Sequence, residues 1–471
     1  MVGLPDSRDE GETTSNCAAS EFVSRDGDAA LHCQSPDHRA AYDVAVPSPS
    51  SRSVVAPAWV RTHPVAALWL GFAVVHLVLV LLCLFAPGLP IGDVSIVYKE
   101  WMRQAVAGEG IVGIDSVWVY PILAWVPIAA AWMFGSGLYD ITWLALTVLA
   151  NGLAFGLLIG WRRGLRARAA WWWLAFLLLL GPIALGRIDA FTVPLVIVAL
   201  VWVAQRPIAA AVLLTIATWI KVWPAAVLAA ALILLTSRRR MLQVAVVGSV
   251  TIVLIALTLG SGDRIFSFFS DQTSRGLQVE APVSTIWVWL AMLGVPGATV
   301  YYDRPLNTFE VTGAWTEAVA SAMNPLLAVA VLAIVLLGIR ALRSGADAGR
   351  LLPLLSLAFA LALIGFNKVG SPQYVVWLAA PVVAGLVVSG RDFARPALLV
   401  WGIGALTQLV YPYLYIDLLS LNPLMVLVLS ARNVLYFVAL GWVLREVVRL
   451  ARPAITFAPV ALDRTQFSTG S

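Results

Sequence analysis

Apolar runs separated by short polar segments fill most of the chain. The first extends from about residue 64 to 86, and further runs follow at about 139–161, 171–185, 191–205, 207–221, 223–236, 241–260, 314–338, 351–366, 373–389, 396–413 and 423–444. A helix crossing the hydrocarbon needs about 20 apolar residues, fewer where it is kinked or shielded by neighbours. The pattern therefore predicts an all-α fold, a polytopic membrane helical bundle of about 12 transmembrane helices. The apolar stretch 118–134 lies within a segment predicted to stay on one side, so it is expected to be re-entrant or interfacial. The segment 284–313 must likewise stay on that side or dip and return. A transmembrane β-barrel would instead alternate apolar and polar residues in segments of about 10, and that dyad pattern is missing.

Charge placement orients the bundle. Arginines cluster at 162, 163, 166 and 168, at 238–240, at 340, 343 and 350, at 391 and 395, and at 445 and 449. With these loops cytoplasmic, the number of crossings between them must be even, and both termini fall in the cytoplasm. Residues 1–62 are rich in Ser, Asp, Arg, Pro and Ala and have no apolar periodicity. They are predicted to be a disordered cytoplasmic tail with no signal-peptide pattern. Residues 63–450 form the bundle and residues 451–471 a short cytoplasmic tail. Every polar motif of interest then falls on the outer face, as a single extracytoplasmic site would require.

Composition agrees with a membrane protein: 60% of the 471 residues are hydrophobic and only 12% charged, with a mean hydropathy of +0.87. The net charge of +5 arises from the loop arginines, which read as orientation signals, and no nucleic-acid partner is expected. Lysine occurs only at 99, 221 and 368, an arginine bias that suggests a high-GC, actinobacterial source. The three cysteines, Cys17, Cys33 and Cys83, are not placed to bridge outer loops. All four histidines precede Asp93, so neither a histidine metal cluster nor histidine catalysis is expected; no metal and no cofactor is predicted.

Asp93, in Leu89-Pro90-Ile91-Gly92-Asp93, stands just past the first apolar run, where the chain re-enters water. It is either a cap on the following amphipathic segment or a base at the mouth of the bundle, positioned for a substrate arriving from the lipid. Arg187 and Asp189 share a tight turn, and charges near the membrane interior usually pair or face water. They either pair as structural glue or present Arg187 to a phosphate. Lys221, beside Trp223 and Pro224 in a break between two short helices, either snorkels or meets an anion. Gln272, Arg275 and Glu280 concentrate polar groups in one outer loop. Lys368 precedes Ser371-Pro372-Gln373-Tyr374, which is either an ordinary helix cap or a helix start whose free N–H groups suit an anion.

At these residues the chain resembles glycosyltransferase family 87, polyprenol-phosphate-mannose-dependent α-mannosyltransferases of the C-type (GT-C) membrane class. The resemblance rests on Gly92-Asp93 with Tyr98, Val119-Tyr120-Pro121, Ile220-Lys221-Val222-Trp223-Pro224, the Gln272, Arg275-Gly276-Leu277-Gln278 and Glu280 pattern, and Lys368-Val369-Gly370-Ser371-Pro372-Gln373-Tyr374. It covers about residues 64–450. The chain departs from the family at Tyr120-Pro121-Ile122, where a second proline is common, and at Gly186-Arg187, where Gly-Gln is common. The resemblance implies an inverting transferase at the outer face of the plasma membrane. It would take a polyprenyl-phosphate sugar donor, with mannose the expected sugar, and a glycolipid or cell-wall glycan acceptor, forming an α linkage. It makes Asp93 the catalytic base. Arg187, Asp189, Lys221, Gln272, Arg275, Glu280, Lys368, Gln373 and Tyr374 are the candidates for binding the donor phosphate and substrate. A competing reading is a transporter or flippase of a lipid-linked sugar, but such proteins commonly carry internal repeats and midplane charges. Neither is evident in this sequence.

Overall fold

The computed structural model describes residues 62–164, 166–269, 275–304 and 306–451. The predicted tails, apart from residues 62 and 451, and the candidate Gln272 lie outside the described residues.

The bundle is predominantly helical. Its helices are α1 Pro64–Phe85, α2 Lys99–Ala107, α3 Trp125–Ala130, α4 Tyr139–Ile159, α5 Ala167–Leu180, α6 Asp189–Trp202, α7 Pro207–Ile220, α8 Pro224–Leu234, α9 Arg238–Thr258, α10 Thr285–Met292, α11 Thr316–Arg343, α12 Ala348–Gly365, α13 Ala379–Ser389, α14 Ala394–Gln408, α15 Tyr415–Leu419 and α16 Pro423–Leu450. Most predicted runs recur within a few residues of these bounds. Among the described residues, eight helical segments are long and apolar enough to cross a membrane, which is the build of a multi-pass membrane protein. The expected count of about 12 counted the runs 373–389 and 396–413 separately, although they fall within one segment, Pro372–Tyr413, and it also took in α6, α7 and α8. These have 14, 14 and 11 residues, and at about 1.5 Å per residue they fall short of a hydrocarbon core of about 30 Å.

Position in the bundle follows from composition. Helix α12 is apolar on all sides and buried along nearly its whole length, as expected of a central helix, and it packs against α16, α13, α8 and α11. Helices α1, α9 and α11 instead expose large apolar residues such as Leu70, Leu77, Val247, Leu254, Val329 and Leu336, faces suited to lipid. Helix α13 carries Ala379, Ala380, Ala384 and Gly385, and such small residues let helices approach closely.

One expectation needs correction. The fold is not purely α-helical: β1 Leu277–Gln278, β2 Thr299–Asp303 and β3 Thr308–Thr312 form an antiparallel sheet in the order β1-β3-β2. Leu277 stands opposite Val311, and both Gln278 and Tyr301 stand opposite Glu310. The β-branched and aromatic residues of Thr299-Val300-Tyr301-Tyr302 and Thr308-Phe309-Glu310-Val311-Thr312 favour a pleated surface. This sheet packs with α10, α11 and α16 around a second small core containing Leu277, Trp287, Val311, Met323 and Val426. The predicted re-entrant stretch 118–134 contains only a 3₁₀ turn, Ile122–Ala124, and the six-residue α3.

Connectivity separates the two ends of the bundle. Helices α5, α12 and α14 start near an arginine cluster and lead toward Arg187, Lys368 and Tyr411 respectively, while α7 starts after the single Arg206 and ends at Lys221. The arginine clusters and the candidate site residues therefore lie at opposite ends of the same helices.

Candidate active site

A cavity of about 660 Å³ opens at the end of the bundle that holds the polar motifs. Asp93, Arg187, Arg275, Gln278, Glu280 and Gln373 line it, together with Tyr98, Tyr120, Tyr411 and Tyr415. Its cover includes the β2–β3 hairpin, through Tyr302, Asn307 and Phe309.

Asp93 is the first residue of a π-helical turn, Asp93–Tyr98, that runs into α2. Gly186 permits this placement, because a Cβ there would stand 2.9 Å from the Pro90 carbonyl oxygen. The carboxylate does not cap α2, whose start carries no side-chain cap. It lies 3.0 Å from Arg187 Nε, in an ion pair whose arginine side chain is 6% exposed and whose aspartate is 36% exposed. The geometry is too bent for a hydrogen bond. Arg187 Nη1 donates to the carbonyls of Pro90, at 2.9 Å, and Gly186, at 2.8 Å. Nη2 donates to the Tyr411 hydroxyl at 2.9 Å. A guanidinium has five N–H donors, and four of these already face the protein. Arg187 therefore fixes the segment that carries Asp93 and keeps little capacity for a ligand. Of the alternatives open for the Arg187–Asp189 turn, a direct pair between the two does not form; each pairs with another residue.

Asp189 is fully buried at the start of α6, accepting from Trp377 Nε1 at 2.6 Å. Its other oxygen faces Lys221 Nζ at 3.8 Å. Lys221 reaches inward because α7 ends there in extended backbone and α8 begins at Pro224, where proline's missing N–H costs nothing. The ammonium lies 4.3 Å from the Tyr120 ring centre and 5.8 Å from that of Tyr374, positions suited to cation–π attraction. Burial holds its pKa below the ordinary lysine range, with Asp189 and then Asp93 pulling the other way. Lys221 and Tyr374 line an adjoining, mainly apolar groove of about 220 Å³ with Phe268, Leu327 and Trp377. The groove and the cavity share Val119.

Glu280 is buried, as is its partner Arg432, which donates through Nη1 to Oε2 at 2.8 Å and through Nη2 to the Glu280 carbonyl at 2.7 Å. Asn433 accepts from the same guanidinium. Burial pushes the Glu280 carboxyl above its ordinary value while Arg432 draws it down. The segment before Glu280 is stitched to the 368–370 loop. Gln278 N donates to the Lys368 carbonyl at 3.0 Å, and Gly370 N donates to Gln278 Oε1 at 2.9 Å. Only glycine fits at 370, since a Cβ would collide with the backbone of Glu280 and Ala281. The Lys368 side chain is buried and outside the cavity lining, and burial lowers its pKa.

The structure thus brings Asp93, Arg187, Arg275, Glu280 and Gln373 to one cavity and Lys221 and Tyr374 to the adjoining groove, with Asp189 behind them. Among the described residues around this site, three carboxylates are matched to three cations: Asp93 to Arg187, Asp189 to Lys221, and Glu280 to Arg432. Arg275 forms no such pair, and its buried Nε has no hydrogen-bond partner there. Sequence reasoning missed Arg432, Tyr411 and Tyr415. The Arg432-Asn433 pair within the apolar run 423–444 was the available signal, because a charge inside a span calls for a partner. The aromatic cluster Tyr411-Pro412-Tyr413-Leu414-Tyr415 was the other.

Fold and site together define a multi-pass membrane helical bundle with a charged, aromatic-walled cavity at one end and an apolar groove beside it. The model of glycosyltransferase family 87 matches residues 118–323. The match implies a glycosyltransferase and takes in Arg187, Lys221, Arg275 and Glu280, while Asp93, Lys368, Gln373 and Tyr374 lie outside it. No curated protein and no solved structure matches the chain.

Proposed function

We propose that this protein is an inverting glycosyltransferase. It moves a sugar, mannose in our reading, from a polyprenyl-phosphate donor to a glycolipid or cell-wall glycan acceptor, forming an α linkage. The reaction takes place at the outer face of the plasma membrane, with the arginine clusters and both termini in the cytoplasm. The observation that carries this reading is the cavity itself, lined by a half-exposed carboxylate, Asp93, and by a guanidinium, Arg275, that has no carboxylate partner among the described residues.

The chemistry follows from these groups. An acceptor hydroxyl attacks the anomeric carbon as its proton passes to Asp93. The bond from that carbon to the phosphate oxygen breaks, and the polyprenyl phosphate leaves with the electron pair. The transition state is oxocarbenium-like. Phosphate is a stable leaving anion and needs no general acid, but a fixed cation that meets its growing charge lowers the barrier. Arg275 takes that role, with Lys221 behind the Tyr120 wall adding positive potential. The groove lined by Phe268, Leu327 and Trp377 gives the polyprenyl chain an apolar path to the cavity. Arg187 acts by positioning Asp93.

The test is sugar transfer from radiolabelled polyprenyl-phosphate mannose in membranes carrying the wild-type chain or Asp93→Asn at equal abundance. Asparagine keeps the shape but cannot take the proton, and transfer should fall by about 10²–10⁴. Equal transfer by both proteins would remove Asp93 from the mechanism.

A further inference from the structure

Helices α12, α13 and α16 meet a second charged feature at the end away from the candidate site. Arg350 in the first turn of α12, Arg391 just after α13, Arg395 in the first turn of α14 and Arg449 at the end of α16 surround a cleft of about 330 Å³. The 18 residues of α12 separate this cleft from the Lys368 loop by about 27 Å, so it is independent of the catalytic cavity. Two of the four guanidiniums are matched, Arg350 by Asp392 at 2.9 Å and Arg449 by Glu446 at 3.3 Å. Arg391 and Arg395 have no carboxylate partner among the described residues, which leaves the cleft with surplus positive charge.

We propose that this cleft binds the phosphate headgroup of an anionic phospholipid from the leaflet on the face opposite the candidate site. Guanidinium forks match phosphate oxygens in pairs, and basic pockets between helix ends suit anionic headgroups. A lipid fits better than a soluble anion because the cleft has two chemical halves. Leu354, Trp442 and Leu450 form an apolar wall. Beside the rim, Val388 and Val448 are exposed on the flanks of α13 and α16, where hydrocarbon would cover them. The phosphate meets Arg391 and Arg395 while the acyl chains continue down the apolar flank.

The experiment uses the full-length protein in detergent, titrated with dioleoylphosphatidylglycerol or dioleoylphosphatidylcholine and read as lipid adducts by native mass spectrometry. Wild type should retain the anionic lipid in preference to the zwitterionic one. Arg391→Gln and Arg395→Gln should each weaken that retention about fivefold, and the double variant about 30-fold. Measuring the single variants keeps the prediction testable if the double variant misfolds. Arg239→Gln/Arg240→Gln, which removes two exposed arginines outside the cleft, should retain the lipid like wild type. Equal retention by the cleft variants and wild type would overturn the proposal, as would equal losses in the cleft and control variants. Displacement of the lipid by millimolar inorganic phosphate would also overturn it, by marking the cleft as a site for free phosphate.

Discussion

Glu280 lines the cavity yet is only 1% exposed, and a double-mutant cycle with Arg432 decides whether it serves substrate or fold. The ion pair at 2.8 Å is enclosed on both sides, so removing one partner leaves a buried charge and should cost about 3–5 kcal/mol. The two single variants should differ in kind. In Arg432→Met the stranded carboxyl can take up a proton. Raising a glutamate from its ordinary pKa of about 4.3 to neutrality caps the electrostatic part of that loss near 4 kcal/mol. In Glu280→Gln the stranded guanidinium cannot neutralise itself, but it keeps the Glu280 carbonyl and Asn433 as acceptors. That loss should fall near 3 kcal/mol, the low end of the range. The double variant removes both charges and should be more stable than the sum of the single losses by at least about 2 kcal/mol. Unfolding in mixed micelles, followed through the chain's 20 tryptophans, measures all four proteins. Additive losses, or wild-type stability in Glu280→Gln with transfer abolished, would refute the structural role and return Glu280 to the substrate.

Arg187→Gln should lower kcat about 10²-fold by loosening Asp93 while leaving the donor KM nearly unchanged, and Arg187→Lys should restore little because it cannot reproduce the fork. Arg275→Gln should instead raise the donor KM and lower kcat by about 10–10³, since it removes a cation that meets the phosphate in both ground and transition states; steady-state kinetics with the lipid donor separates the two. Burial holds the Lys221 pKa below the ordinary lysine range, so the ammonium is lost earlier than in a free lysine as pH rises. Transfer that depends on it should fall on the alkaline side before that range is reached. Lys221→Arg, which keeps its charge there, should move the alkaline limb upward in a pH–rate profile, and an unchanged limb would exclude Lys221 as its cause.

Helix existence was legible in the sequence because a run of about 20 apolar residues has few alternatives in a lipid solvent. Asp93 was legible as a carboxylate at a helix end, and the breaks at Gly186-Arg187 and Lys221-Pro224 as polar turns between short apolar runs. The partners were not. Arg432 stands 152 residues from Glu280 and Trp377 stands 188 from Asp189, and no local period encodes such a meeting. Its neighbour Asp189 is the partner that local spacing suggests for Arg187, although the close approach that Gly186 allows brings Pro90 and Asp93 to it instead. The sheet was missed for another reason. Strands of two to five residues are too short for alternation to stand out from the surrounding apolar segment.

The pairing pattern also decides which member of the Asp93–Arg187 pair can do chemistry. An unpaired charge is costly in an apolar bundle, and matching three carboxylates to three cations lets the protein keep a polar cavity beside its core. Within the first pair the exposure is unequal, 6% for the arginine and 36% for the aspartate. The guanidinium turns its remaining donors to the carbonyls of Pro90 and Gly186 and to Tyr411, so it is spent on structure. The carboxylate has one oxygen against the guanidinium and an open side toward the cavity. An acceptor hydroxyl approaching from the cavity therefore meets an oriented oxygen with room for its proton, and Arg187 holds that oxygen in place without covering it.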